Sequence, residues 1–107
     1  MARYTHFLTL SEPETPQSLG ASIVKTLEDC GLSMVYVNDD YFVAKEKPGQ
    51  VALAQLTTIE VMINQPTTMA ENTRVNLVVK NEELPLQRNN HCQRVFETVS
   101  QAIGAAL

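Results

Sequence analysis

The sequence predicts an α+β fold of two layers, in which an antiparallel sheet of about five strands carries two helices on one face. Three observations support this. Residues 3–10 and 74–80 alternate apolar and polar side chains, as half-buried strands do. Residues 16–30 and 90–103 instead repeat apolar side chains every three or four positions, as amphipathic helices do. Between them, short apolar runs are joined by turns too short for parallel crossovers.

The first strand and the first helix are separated by a polar, proline-containing break. Thr15 offers a hydroxyl N-cap, and Pro16 suits the first helical position, where its missing N–H costs nothing. Gly31 ends the helix, because glycine readily adopts the left-handed conformation found at helix ends. The apolar stripe of this helix consists of Leu19, Ile23, Leu27 and Cys30.

The middle of the chain predicts an antiparallel meander. Apolar runs at residues 32–37, 41–46 and 51–63 are separated by turn-forming stretches. Because residues 51–63 exceed the length of an average strand, we expect this run to bend, bulge or divide near Thr57 and Thr58. The polar loop that follows, residues 65–74, is either a contact surface or a simple connection.

The last strand, residues 74–80, precedes a second helix with Asn89 or Asn90 as its N-cap. The apolar face of this helix comprises Cys92, Val95, Phe96, Val99, Ala102 and Ile103. The resulting order, β-α-β-β-β-β-α, resembles the TATA-binding-protein-like architecture, in which a curved antiparallel sheet packs both helices on one side. Only the order of elements carries this resemblance, so it implies a fold and no function.

Composition restricts the class of protein. At 107 residues the chain fits one domain, residues 1–107, and its net charge of −4 with scattered basic residues disfavours nucleic acid as a partner. No apolar run approaches the roughly 20 residues of a membrane-spanning helix, and residues 1–20 lack a secretory signal, so we expect a cytoplasmic protein. Cys30 and Cys92 lie on apolar helix faces and are expected to be free, buried thiols.

No residue pattern predicts catalysis, a metal or a cofactor. His91 and Cys92 are adjacent on a helix and therefore point about 100° apart, which suits neither a nucleophile with its base nor a metal pair. The spacings of zinc ligands, phosphate-binding glycines and a hydrolase serine are absent. An enzyme is thus left open but disfavoured.

The strands carry apolar side chains on both faces, whereas a sheet with one solvent-exposed face usually alternates apolar and polar side chains. In the second strand, Leu32, Met34 and Tyr36 fall on one side, and Val35 and Val37 fall on the other. Either a second copy, a protein partner or a small ligand covers the second face, or β-branched residues sit there because they favour strands.

Residues 84–96, with Asn90, His91 and Cys92 opening the last helix, resemble the ending of a family of small uncharacterised cyanobacterial proteins. The resemblance covers about an eighth of the chain, and the motif has no known mechanism. It implies a bacterial cytosolic setting and an accessory role, without a reaction.

Our leading hypothesis is a non-enzymatic binding or regulatory module that forms a homodimer, or engages a protein partner, through the uncovered sheet face. The candidate interface residues are Val35, Val37, Phe42 and Val78. The alternative is a small-ligand carrier or enzyme with a pocket between sheet and helices. The candidate pocket residues are His6, Tyr36, Tyr41 and His91.

Overall fold

The computed structural model describes residues 1–10, 16–49, 51–64, 72–84 and 90–107, and it confirms the predicted α+β class. The elements are β1 (Ala2–Leu10), α1 (Pro16–Asp29), β2 (Ser33–Val37), β3 (Tyr41–Lys45), β4 (Thr58–Asn64), β5 (Thr73–Asn81) and α2 (His91–Ala106). A short 3-10 turn, Leu53–Gln55, precedes β4. The predicted order of strands and helices is therefore the observed order.

All five strands form one antiparallel sheet in the order β1-β5-β4-β3-β2. Residues 38–40 alone join β2 to β3, a connection so short that only antiparallel neighbours permit it. β1 lies at one edge and pairs with β5 along its full length, from Ala2 opposite Asn81 to Leu10 opposite Thr73. β2 forms the other edge.

Both helices pack on the same face of the sheet and bury a single core. Helix α1 contributes Leu19, Ile23 and Leu27, and helix α2 contributes Cys92, Val99 and Ile103. The strands contribute Ala2, Phe42, Ala44, Ile59, Val61, Ile63, Val75, Leu77 and Val79. Burying each large aliphatic or aromatic side chain stabilises the fold by about 1.5–3 kcal/mol. Gly20 permits close packing of α1 on β3, since a Cβ there would lie 3.1 Å from Cζ of Phe42.

The long apolar run of residues 51–63 divides where the sequence predicted a break. Its first half forms the 3-10 turn, and the strand begins only at Thr58. The buried Thr57 fixes this junction, because its hydroxyl donates to the Gln55 carbonyl at 3.1 Å and its backbone N–H donates to Glu46 Oε1 at 3.0 Å.

The predicted faces of β2 are wrong beyond Met34. Met34 pairs with Ala44, but the register then shifts, so that Tyr36 pairs with Val43 and Val37 with Phe42. Directly paired residues share a face, and the bulge at Val35 therefore reverses the alternation. Tyr36 lies on the uncovered face, whereas Met34 and Val37 lie on the helix side.

The helix ends follow the predicted chemistry. Gly31 has a φ of +83° directly after α1, and Asn90 caps α2 by accepting a hydrogen bond from the Gln93 backbone N–H at 2.7 Å. Cys30 and Cys92 are both free thiols. The predicted N-cap Thr15, the alternative cap Asn89 and most of the polar loop, residues 65–71, lie outside the described residues.

Candidate binding surface

The four residues predicted to line one pocket are dispersed. His6 lies on the helix side of β1, with its ring 6.4 Å from that of Phe96 in α2. Tyr36 and Tyr41 lie on the opposite face of the sheet, with ring centroids 5.8 Å apart. His91 is the first residue of α2. The structure therefore does not form the predicted pocket.

His91 is engaged in a contact between the sheet and α2. Its Nε2 lies 2.7 Å and 2.9 Å from the two carboxylate oxygens of Glu46, which directly follows β3. The same carboxylate accepts the hydrogen bond from Thr57 N–H. This pair links the end of β3 to the start of α2, and no nucleophile from the described part of the chain completes a catalytic set with it.

A buried carboxylate, Glu83, closes the N-terminus of α2. It accepts hydrogen bonds from the backbone N–H groups of Cys92 at 2.8 Å and His91 at 3.2 Å, and from Nδ2 of Asn81 at 2.6 Å. Burial by itself raises the pKa of Glu83, but these hydrogen bonds and the nearby His91 outweigh it and hold the pKa below its ordinary value. The cluster therefore favours an ionised carboxylate that stabilises the helix.

Cys92 is not a nucleophile in this setting. Burial, followed by the charges of Glu83 and Glu46, raises the pKa of its thiol to about 11. The Sγ lies 3.5 Å from the Val79 carbonyl and 3.8 Å from that of Ala2, both inside the core. No group of three or more His, Cys, Asp or Glu residues within the described ranges is arranged to hold a metal ion.

The opposite side of the sheet, which we call the open face, is covered by neither helix. The strand registers arrange its side chains in transverse rows. In order, these rows are Arg3, Lys80, Thr58, Lys45 and Ser33; Thr5, Val78, Glu60, Val43 and Tyr36; Phe7, Asn76, Met62 and Tyr41; Thr9, Arg74 and Asn64.

The two middle rows form an apolar band across the sheet. Phe7 is 66% exposed, Tyr36 49% and Met62 44%, and Tyr41, Val43 and Val78 are half-buried beside them. Thr5, Glu60 and Asn76 lie among these apolar side chains. Single exposed apolar residues are common on proteins, but six on one sheet face are typical of an interaction surface. The open face therefore has the character of a contact surface.

Basic side chains flank this band. Arg3, Lys80 and Lys45 lie in the first row, and Arg74 lies in the last. Glu60 is the only acidic side chain that the five described strands place on the open face. Glu82 follows directly after β5, beyond the end of the strand. The face thus carries a positive charge, although the chain as a whole carries −4.

Glu60 is held by two neighbours on the same face. The Tyr41 hydroxyl donates to Glu60 Oε1 at 2.9 Å, and Lys80 Nζ approaches the same oxygen at 3.4 Å. The hydrogen bond to Glu60, together with desolvation and the adjacent negative charge, raises the pKa of Tyr41. The one carboxylate of the open face is therefore already compensated, whereas no ion pair among the described residues engages Arg3, Lys45 or Arg74.

A shallow depression of about 290 Å³ opens at the centre of this face. It is lined by Arg3, Tyr41, Glu60, Met62, Asn76 and Val78. Oδ1 of Asn76 is shielded from solvent and has no hydrogen-bond partner. A buried acceptor without a donor costs about 1–3 kcal/mol.

The predicted interface residues occupy three different places. Val78 lies on the open face. Val35 and Val37, each 57% exposed, lie on the edge strand β2, at the bulge and on the helix side respectively. Phe42 is corrected: it is only 2% exposed and packs beneath α1 against Gly20, because it points to the helix side of β3.

A second concavity lies between α1 and the β2–β3 turn. Val24, Val37 and Phe42 contribute apolar surface to it, and Asp39 and Asp40 contribute charge. It contains none of the four residues predicted to line a pocket. It therefore provides no support for the predicted polar site.

Sequence reasoning missed the row formed by Arg3, Lys80 and Lys45. Alternation within each strand already places Arg3 and Lys80 on the side opposite the more apolar face of their strands. Their lateral alignment depends on the pairing register, and in particular on β1 joining β5 instead of β2. None of the helices in the described ranges is long and apolar enough to span a bilayer.

No protein-family model matches the chain, and no curated protein sequence is significantly similar to it. The resemblance of residues 84–96 to small cyanobacterial proteins thus stays a prediction, and residues 85–89 of that stretch lie outside the described part of the chain.

Proposed function

We propose that this domain is a non-enzymatic binding module that contacts another polypeptide through its open face. The observation that carries the proposal is the apolar band of Phe7, Tyr36 and Met62 on a sheet face that neither helix covers. Contact of this apolar area with water is unfavourable, and its burial against a partner lowers the free energy.

The size of the open face supports a protein-sized contact. Five strands spaced by about 4.8 Å make it about 24 Å wide, and strands of five to nine residues make it about 17–30 Å long. The resulting flat area of roughly 600 Å² approaches the roughly 800 Å² per partner that specific protein interfaces bury. A second copy of the chain is therefore one occupant that the area permits.

The setting we propose is the cytoplasm of a bacterial cell. Both cysteines are free thiols, and reduced cysteines are typical of cytosolic proteins.

Light scattering coupled to size-exclusion chromatography, at several protein concentrations, tests self-association. We expect Phe7→Asp and Met62→Asp to dissociate a dimer, because each adds a charge to the apolar band. Leu53→Asp is the matched control, since Leu53 is 82% exposed but lies on the 3-10 turn outside the open face.

A dimer that resists both substitutions, or that Leu53→Asp dissociates equally, contradicts the proposal. A monomer at every concentration eliminates the second copy as the occupant. In that case the binding function depends on a different polypeptide, and selection of binding peptides from a displayed library tests for one.

A further inference from the structure

We infer that the occupant of the open face is an acidic polypeptide segment with apolar side chains, bound in an extended form. This inference rests on the proposed binding function and specifies its partner. The juxtaposition that carries it is an apolar band lying between a row of three basic side chains, Arg3, Lys80 and Lys45, and the single Arg74 of the last row.

The charge of the open face disfavours a second copy of the same chain. In a symmetric dimer the same patch occurs on both sides of the interface. Four basic side chains, Arg3, Lys80, Lys45 and Arg74, would then face a surface with the same excess of positive charge. Only Glu60 on the strands, and Glu82 in the concavity that it shares with Lys45 and Lys80, would oppose them. Juxtaposed like charges lower affinity and select against that partner, whereas an acidic partner is attracted.

The basic row has dimensions that suit an extended segment. Arg3 and Lys45 are separated by three strand spacings, about 14 Å. Two residues of an extended chain span about 7 Å, so carboxylates at alternate positions of a five-residue stretch cover the row from end to end. Arg3 and Lys45 are exposed and engaged in no ion pair with the described residues, and they remain available to such carboxylates.

The apolar band favours a peptide over a nucleic acid. Single strands of nucleic acid bind through rows of aromatic side chains that stack on successive bases. The aromatic side chains of the band form no such row, because Phe7 lies on β1 and the Tyr36–Tyr41 pair lies on β2 and β3, with aliphatic Met62, Val43 and Val78 between them. Glu60 lies at the middle of the face and would repel a phosphate chain crossing it.

The test is selection from a random dodecapeptide library displayed on phage, with the intact protein as the target. We expect enriched peptides to carry an excess of Asp and Glu together with Leu, Ile or Phe. The strongest clone, synthesised with a fluorescent label, should bind roughly five- to tenfold more weakly to Arg3→Glu and to Lys45→Glu, because each reversal replaces one attraction with a repulsion.

Lys25→Glu provides the matched control. Lys25 is exposed on α1, and its substitution changes the net charge of the protein by the same amount without altering the open face. Peptide binding to this variant should stay within about twofold of the unmodified protein, since distant surface charges are largely screened. Equal loss in all three variants would overturn the inference, because it would indicate a non-specific effect of net charge.

Three other outcomes would also contradict the inference. Enrichment of basic or neutral peptides, or no enrichment, overturns the inference. Tighter binding of a twelve-residue oligothymidylate than of the best peptide overturns it in favour of nucleic acid. A dimer that Phe7→Asp dissociates overturns it as well, but supports the proposed function, so the two failures are distinguishable.

Discussion

The carboxylate of Glu83 accepts a hydrogen bond from the backbone N–H of Cys92 at 2.8 Å and thereby joins the end of the sheet to the first turn of α2. Glu83 lies just after β5, and it is only 8% exposed. Two first-turn N–H groups of the helix and the side chain of Asn81 converge on this one carboxylate. Glu83 therefore anchors the first turn of α2 to the end of the sheet, beside the link between His91 and Glu46.

Replacing Glu83 by alanine should destabilise the protein by about 2–4 kcal/mol, because several buried donors lose their acceptor at once. Chemical denaturation monitored by circular dichroism measures the effect. Glu82→Ala is the control, since Glu82 is the exposed neighbour and its loss should cost less than about 0.5 kcal/mol. Equal losses for the two variants would contradict the role assigned to Glu83.

The stabilisation by Glu83 should depend on pH with a defined sign. Its pKa is lowered in the folded protein from an ordinary value of 4.5. A carboxyl group with a depressed pKa stabilises the fold above its unfolded pKa, and the stabilisation is lost as the pH falls through the folded pKa. The difference in unfolding free energy between the unmodified protein and Glu83→Gln should be constant above about pH 6 and shrink below pH 4.5. A difference that grows on acidification would contradict this assignment.

The two thiols should react at different rates with a disulfide reagent at pH 8. Burial and the nearby acidic residues raise the pKa of Cys92 to about 11, and its side chain is fully buried. Burial and then Asp29 also raise the pKa of Cys30, but this residue is half-buried and accessible. Cys30 should therefore be modified first, and in Cys30→Ser the remaining thiol should react only as the protein unfolds. Rapid native-state reaction of that variant would contradict the buried position of Cys92.

Truncation of Phe42 should destabilise the protein much more than truncation of Phe7, because the two side chains lie on opposite faces of the sheet. Phe42→Ala should cost about 3–5 kcal/mol of stability, since it empties a packed site beneath α1. Phe7→Ala should change stability by less than about 1 kcal/mol, because its side chain is 66% exposed. Thermal unfolding of the two variants distinguishes these effects. If Phe7→Ala proves as destabilising as Phe42→Ala, the face assignment is wrong.

The local elements were predictable from the sequence because their signals are local. Gly31 and Asn90 mark helix ends through backbone and capping chemistry that operates within a few residues. The break near Thr57 was predictable from the length of the apolar run alone. The fold class follows from this order of elements and from turns that allow only antiparallel pairing.

The arrangement of the binding surface was not predictable, because it depends on registers between distant strands. The bulge at Val35 left no signal in a run of residues that is apolar on both sides, and it moved Tyr36 to the open face. Phe42 was assigned to the interface because its neighbour Val43 is equally apolar. Glu83 lies eight residues before His91, and only the tertiary structure brings its carboxylate to the helix.

The order of the strands has a consequence for the nascent chain. β1 leaves the ribosome first, yet its only neighbour in the sheet, β5, is synthesised after β2, β3 and β4. Hairpins β2–β3 and β3–β4 can form locally, whereas β1 must wait with its backbone groups unpaired until most of the chain has emerged. The sheet is therefore complete only after β5 has been synthesised, and mutations that weaken the β1–β5 pairing should act first on the yield of folded protein in the cell.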